Sequence, residues 1–199
     1  MRWKSPRPIG GSDGNEQLTA IVATLLLVLL AAEGATLLQI RSLLTVHAFV
    51  GMLLIPVVAV KFASTGWRMV RYYLGAGDYV LRGPPQLVLR ALVAPVLVAS
   101  TVVLFASGVA LLAPDERHGA IAGLHKASFV VWFGAMSLHV LTRLPRLLGA
   151  LGDRVPGLAL RLGLAGASLV AGAVLATATL PAADALQDGA SAYVSVDGS

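Results

Sequence analysis

The sequence predicts an all-α integral membrane protein, a bundle of five transmembrane helices. Of its 199 residues 57% are hydrophobic and only 13% are charged, whereas about a quarter of a soluble domain is charged. Five apolar segments approach the ~20 residues that a helix needs to cross a bilayer: 18–38, 43–66, 87–112, 120–142 and 160–181. We expect flexible polar ends at 1–16 and 182–199 around a transmembrane domain at 17–181.

The sequence contains no cysteine, which restricts the chemistry open to the protein. Disulfides, thiolate nucleophiles, iron–sulfur clusters and cysteine-ligated zinc are all excluded. The net charge of +5 comes from short basic clusters between apolar runs and not from one basic face, so we expect a lipid bilayer and no nucleic acid as the partner. No phosphate-binding loop, dinucleotide fingerprint or zinc-protease motif is present.

The positions of the basic residues predict the orientation in the membrane. Eleven of the 15 Lys and Arg residues lie before the first span, or in the loops between the second and third and between the fourth and fifth spans and the span ends that adjoin these loops. Because cytoplasmic loops carry the Lys/Arg excess, we expect the N-terminus inside and the C-terminus outside the cytoplasmic membrane. The alternative of a cleaved signal peptide with an apolar region at 18–32 is disfavoured, since Asp13 and Glu16 make the preceding segment a poor basic leader.

Ionisable residues inside the spans are the candidate functional residues, because they are costly in a membrane. His47 and His125 lie near the outer ends of spans two and four, which run in the same direction, so both imidazoles are expected at one depth. His139 follows His125 by 14 residues, which places it about 40° from the same face and ~21 Å deeper. Lys61 occupies the equivalent position 14 residues after His47.

A b-type haem with two axial histidines requires two imidazoles at equal depth on facing helices. His47 and His125 meet this requirement, and Gly51 on the face of His47 leaves space for a flat macrocycle. Arg41 and Lys126 at the outer rim are candidates for holding the haem propionates, although interfacial anchoring explains them equally well. The alternative for each histidine is a hydrogen bond between helices.

Several segments together resemble a family: Leu44 to His47 followed by Gly51, Lys61 to Tyr73, Gly83-Pro84-Pro85, and Leu124 to Phe129 with His139. Over about 16–145 the chain resembles bacterial membrane proteins related to cytochrome b(561) and other diheme cytochrome b subunits.

The resemblance implies a four-helix haem-binding core that passes electrons between the quinone pool and a redox partner, in some relatives a molybdopterin enzyme. It makes His47 and His125 the ligands of an outer haem and His139 one ligand of an inner haem. Lys61 stands where a diheme protein has its fourth histidine. The inner haem is therefore absent, five-coordinate or ligated through a neutral Lys61.

Two other functions remain open at this point. One is a haem-free structural or assembly subunit of a membrane complex, and the other is a small proton-coupled carrier using Glu33, Lys61 and His139. For Glu33 we favour an ion pair with Arg41 over a place on a quinone or proton path. Lys61 lies near enough to the inner boundary to extend to the lipid surface instead. The small residues of the fifth span predict either close helix packing or an interface with a partner.

Overall fold

The computed structural model describes residues 11–81, 92–113, 118–152 and 155–197. Within these ranges the regular elements are helices and no strand is found. In chain order they are α1 (Gly11–Thr36), a short 3-10 turn (Leu37–Gln39), α2 (Leu44–Tyr73), α3 (Gly77–Val80), α4 (Ala94–Ala110), α5 (His118–Gly152) and α6 (Leu158–Asp197).

Four segments are long and apolar enough to cross a membrane: Gly11–Gln39, Leu44–Tyr73, Gly119–Pro145 and Leu158–Ala190. These confirm the prediction of an all-helical, multi-pass membrane protein. In the region of the predicted third span the structure has α4, an apolar helix of only 17 residues. Residues 87–91 of that span lie outside the described residues, so the count of five spans stays a prediction.

The helices form a four-membered ring with a fifth helix on its outside. Going round the ring, α1 packs on α2, α2 on α4, α4 on α5, and α5 on α1, while α6 packs against α1 and α2. Helices α2 and α5 therefore face each other across the ring. This arrangement directs their inner faces toward a common centre, which matters because α2 and α5 carry the candidate ligands.

Helices α2 and α6 approach most closely at a glycine. A Cβ atom at Gly172 would overlap the Leu53 carbonyl group, so only glycine permits this separation of the two backbones. Ala176, one turn later, is almost fully buried. The close packing predicted from the small residues of the last span is thus confirmed, and it occurs within the chain.

Among the described residues, 11–16 and 182–197, which were expected to be flexible, are helical. Helix α1 already begins at Gly11, and α6 continues through Pro181 to Asp197. The extended part of α6 is fixed by contacts with the start of α2: the Thr45 backbone N–H donates to Gln187 Oε1 at 3.0 Å, and Gln187 Nε2 donates to the Arg41 carbonyl at 2.7 Å. Gln187 thereby satisfies one of the amide groups that a helix start leaves without an intrahelical partner.

The outer surface of the bundle is apolar, as a lipid environment requires. On α5, Val130, Phe133 and Leu141 are 69%, 59% and 73% exposed. Trp132 lies on the opposite face of α5 and is buried. Its Nε1–H donates to Thr101 Oγ1 of α4 at 3.1 Å. The difference between the two faces of α5 orients the helix, and with it His125, toward the interior.

Candidate functional site

The two histidines predicted to share one depth lie side by side in the structure. The ring centroids of His47 on α2 and His125 on α5 are 6.3 Å apart, with an angle of 89° between the ring planes. Their juxtaposition, predicted from helix direction and depth, is confirmed. Their role as ligands is a separate question that depends on which ring nitrogens are available.

The His47 ring is fixed by α1 through its Nδ1 atom. Nδ1 lies 2.9 Å from Thr36 Oγ1 and 3.0 Å from Glu33 Oε1. The single hydroxyl proton of Thr36 is donated to the Glu33 backbone carbonyl at 2.6 Å, so Thr36 Oγ1 can only accept from the ring. The network therefore assigns the hydrogen to Nδ1 of His47 and leaves Nε2 with a free lone pair.

The His125 ring is fixed in the same way by α4. Its Nδ1 lies 3.1 Å from the Leu104 carbonyl oxygen and 3.1 Å from Ser107 Oγ. A carbonyl oxygen only accepts, and the Ser107 hydroxyl donates to the Val103 carbonyl at 2.7 Å. The hydrogen of His125 is therefore also on Nδ1, and Nε2 is again the nitrogen with a lone pair.

A glycine on α4 makes the position of the His125 ring possible. A Cβ atom at Gly108 would lie 3.2 Å from His125 Cε1 and 3.5 Å from its Nδ1. The first distance is tighter than an ordinary van der Waals contact, so a side chain at this position would push the ring away from α4. Gly108 thus holds open the place in which His125 meets its hydrogen-bond acceptors.

The donor set fits a b-type haem. Histidines that bind metals usually donate their second ring N–H to a carboxylate or a backbone carbonyl, and His47 and His125 show one case of each. The two rings come from facing helices and their centroids lie 6.3 Å apart. His47 and His125 would hold the iron through Nε2.

Glu33 pairs with His47 and not with Arg41, so that part of the sequence analysis was wrong. The short turn after α1 leaves the Arg41 side chain exposed, whereas the Glu33 carboxylate is mostly buried. Glu33 Oε2 is buried without a hydrogen-bond partner among the described residues. Gly51 faces this carboxylate, because a Cβ there would lie 3.5 Å from Glu33 Oε1.

A second polar level lies deeper, where α1, α2 and α5 meet. Lys61 Nζ donates to the Thr19 backbone carbonyl at 2.9 Å, and the Thr19 hydroxyl donates to Ser64 Oγ at 3.1 Å. His139 lies within electrostatic reach of Lys61 and Arg143. The Lys61 ammonium is thus engaged by α1, and no second imidazole faces His139 within the described part of the chain.

The remaining candidates lie at the outer rim. Arg41 and Lys126 are both exposed and near the levels of His47 and His125. Within the described ranges, no group of three or more His, Cys, Asp or Glu side chains is arranged to hold a metal ion. An axial pair supplies only two protein ligands, so a haem iron suits this site better than a metal ion held by protein alone.

Sequence reasoning missed the groups that hold the two rings. Thr36, Ser107 and Gly108 were not singled out, and the Leu104 acceptor is a backbone atom that leaves no trace in the sequence. The available signal was the Ser107-Gly108 pair in an uncharged apolar segment, where a hydroxyl group stands next to a residue without a side chain.

Comparison of the chain with protein-family models, curated proteins and solved structures gave no match.

Proposed function

We propose that this chain is a membrane b-type cytochrome that carries one haem near the outer face of the bilayer. The Nε2 atoms of His47 and His125 would hold the haem iron. The observation that carries the proposal is that two imidazoles from facing helices lie 6.3 Å apart while both Nδ1 atoms donate to neighbouring helices.

The haem, when bound, would supply a one-electron carrier between the quinone pool and a redox partner. The chain's own residues orient and protect the site. Helices α1 and α4 fix the planes of the two rings through Glu33 and Leu104. The apolar faces around them keep bulk water away, and exposed Arg41 and Lys126 are placed to meet propionates at the rim.

The proposal includes five spans, with α4 and residues before it forming the third. The N-terminus lies inside the cytoplasmic membrane and the C-terminus outside, as the distribution of Lys and Arg favours. In this orientation the paired histidines face the outer side. A partner that exchanges electrons with the haem would then approach from the extracytoplasmic side or from within the membrane.

The test is a reduced-minus-oxidised absorption spectrum of the full-length protein, purified after expression with added haem precursor. We expect a b-type band in the wild type and in His118→Ala, and no band in His47→Ala or His125→Ala. His118 is a matched control because it is the first residue of α5, seven positions before His125.

An absent band in well-folded wild-type protein would overturn the proposal and favour a haem-free subunit, which should instead co-purify with a larger complex. An unchanged spectrum in both ligand variants would also overturn it. Uptake driven by a proton gradient in vesicles containing the haem-free protein would favour the carrier built on Glu33, Lys61 and His139.

A further inference from the structure

The end of α2 farthest from His47 carries two arginines, Arg68 and Arg71, beside exposed apolar side chains. At 1.5 Å per residue Arg71 lies ~36 Å from His47 along the helix, farther than the ~30 Å thickness of a bilayer's hydrocarbon core. Because His47 is close to the start of α2, Arg71 reaches the headgroups of the opposite leaflet. We propose that Arg68 and Arg71 bind the phosphate of an anionic phospholipid in that leaflet.

The Arg71 guanidinium is held between two aromatic rings. Its Cζ atom lies 5.8 Å from the centroid of the Trp67 ring, one turn earlier on α2, and 5.9 Å from that of the Tyr79 ring on α3. Tyr79 is buried, whereas Trp67 is exposed. The guanidinium therefore lies between a ring fixed inside the protein and a ring at the surface. It keeps its charge at every physiological pH, and its planar set of donors matches a phosphate.

The two arginines are not neutralised by carboxylates of the described residues. Neither Arg68 nor Arg71 forms an ion pair within this part of the chain. The carboxylate nearest to them in the sequence, Asp78, is directed at the start of α1, where its Oδ2 accepts from the Ser12 backbone N–H at 3.1 Å. A helix start stabilises a negative group, so Asp78 is already engaged. An external phosphate can supply the negative charge that the two arginines lack.

An apolar stripe beside Arg71 indicates a phospholipid and not a free phosphate. Trp67, Val70 and Leu74 are all exposed, and their spacing of three and four residues places them on one face of α2, next to Arg71. Acyl chains can cover this stripe while the headgroup meets the arginines, and a tryptophan at headgroup depth is typical of a membrane interface. Basic residues at this depth favour anionic over zwitterionic lipids.

The test is native mass spectrometry of the full-length, haem-free protein in a non-ionic detergent, titrated with phosphatidylglycerol or phosphatidylcholine. We expect the first phosphatidylglycerol to bind at least tenfold more tightly than phosphatidylcholine. Arg68→Gln and Arg71→Gln should each weaken phosphatidylglycerol binding roughly fivefold and leave phosphatidylcholine binding unchanged. Arg71→Lys keeps the charge without the planar fork, so its loss should be smaller.

Arg117→Gln is the matched control, because it removes the same charge from the position just before α5. It should bind both lipids like the wild type. An equal loss in Arg117→Gln and Arg71→Gln would show attraction by net charge alone and overturn the inference, as would equal affinity of the wild type for the two lipids.

Excess glycerol 1-phosphate should not displace phosphatidylglycerol, and displacement would overturn the assignment to a lipid. Circular dichroism checks the helical content of each variant, and Arg68→Gln leaves the two rings around Arg71 intact if Arg71→Gln does not fold. All measurements use haem-free protein, so a wild type that failed to bind haem would overturn the proposed function and leave this inference standing.

Discussion

The bundle has an outer level, with His47 and His125, and an inner level, with Lys61 and His139. The same step along the helix separates the two levels on α2 and on α5, but the hydrogen bonds at the two levels differ. On α2 and on α5 a step of 14 residues leads from an outer histidine to an inner basic residue, Lys61 or His139. At the outer level both imidazoles are fixed with Nε2 available. At the inner level the α2 residue instead donates to a backbone carbonyl of α1. Helical periodicity therefore sets the depth of a residue, and the neighbouring helix sets its chemistry.

Helix α1 has the same spacing in the reverse direction. Thr19 and Glu33 are also 14 residues apart, and they meet Lys61 and His47 respectively. At the outer level α1 offers a carboxylate that orients an imidazole, and at the inner level it offers a carbonyl that engages an ammonium. An apolar helix in place of α1 would still offer a backbone carbonyl to Lys61, but it would lose the Glu33 side chain that holds His47.

The largest effect should come from filling the space beside His125. Gly108→Val places a side chain where a Cβ alone would be 3.2 Å from the ring, so the ring must leave its acceptors on α4. We expect haem affinity to fall at least tenfold, within the range found when outer partners of a ligand are lost. The measurement is haem retained per protein after purification.

Gly134→Val is the control for that experiment, because nothing lies within 4 Å of a Cβ at this position on α5. It should retain haem like the wild type. Equal retention in Gly108→Val and Gly134→Val, with unchanged helical content by circular dichroism, would contradict the assigned position of His125.

A smaller effect is expected from removing one of two acceptors at either ring. Ser107→Ala leaves the Leu104 carbonyl for His125, and Thr36→Val leaves the Glu33 carboxylate for His47. One hydrogen bond contributes about 0.5–1.5 kcal/mol, which is roughly two- to tenfold in affinity. Haemin titration should show a loss of this size in both variants, since each ring keeps one acceptor.

Ser100→Ala serves as the control for this pair, because its hydroxyl donates to the Leu97 carbonyl on the same helix. Its haemin affinity should equal that of the wild type. Affinities of Thr36→Val and Ser107→Ala equal to that of Ser100→Ala would contradict the hydrogen bonds assigned to the two rings.

The smallest effect is expected at the inner level. Lys61→Met removes the hydrogen bond to Thr19, and His139→Ala removes the inner imidazole, but neither residue touches the outer pair. We expect the haem content and the b-type spectrum of both variants to match the wild type. Loss of about half of the haem in either variant would show a second haem at this level and end the contrast between the two levels.

The sequence was sufficient to predict the helical membrane architecture and the meeting of His47 with His125, because both follow from span length, direction and periodicity. The partner of Glu33 was predicted wrongly, since the conformation of the short turn at 37–43 decides whether Arg41 or His47 is nearer. Lys61 and His125 bond to backbone oxygens of Thr19 and Leu104, and such acceptors are identical at every position of a sequence. The extension of α6 depends on the contact between Gln187 and Thr45 of α2, two residues that lie 142 positions apart in the sequence.

That last contact has a consequence for biosynthesis. Gln187 caps the first turn of α2 at Thr45, two residues before His47. During synthesis Gln187 leaves the ribosome 142 residues after Thr45. At 5–20 residues per second this interval is roughly 7–28 s. Throughout it the first turn of α2 lacks this cap, although Glu33 and Thr36, the α1 residues that hold the His47 ring, have already been made.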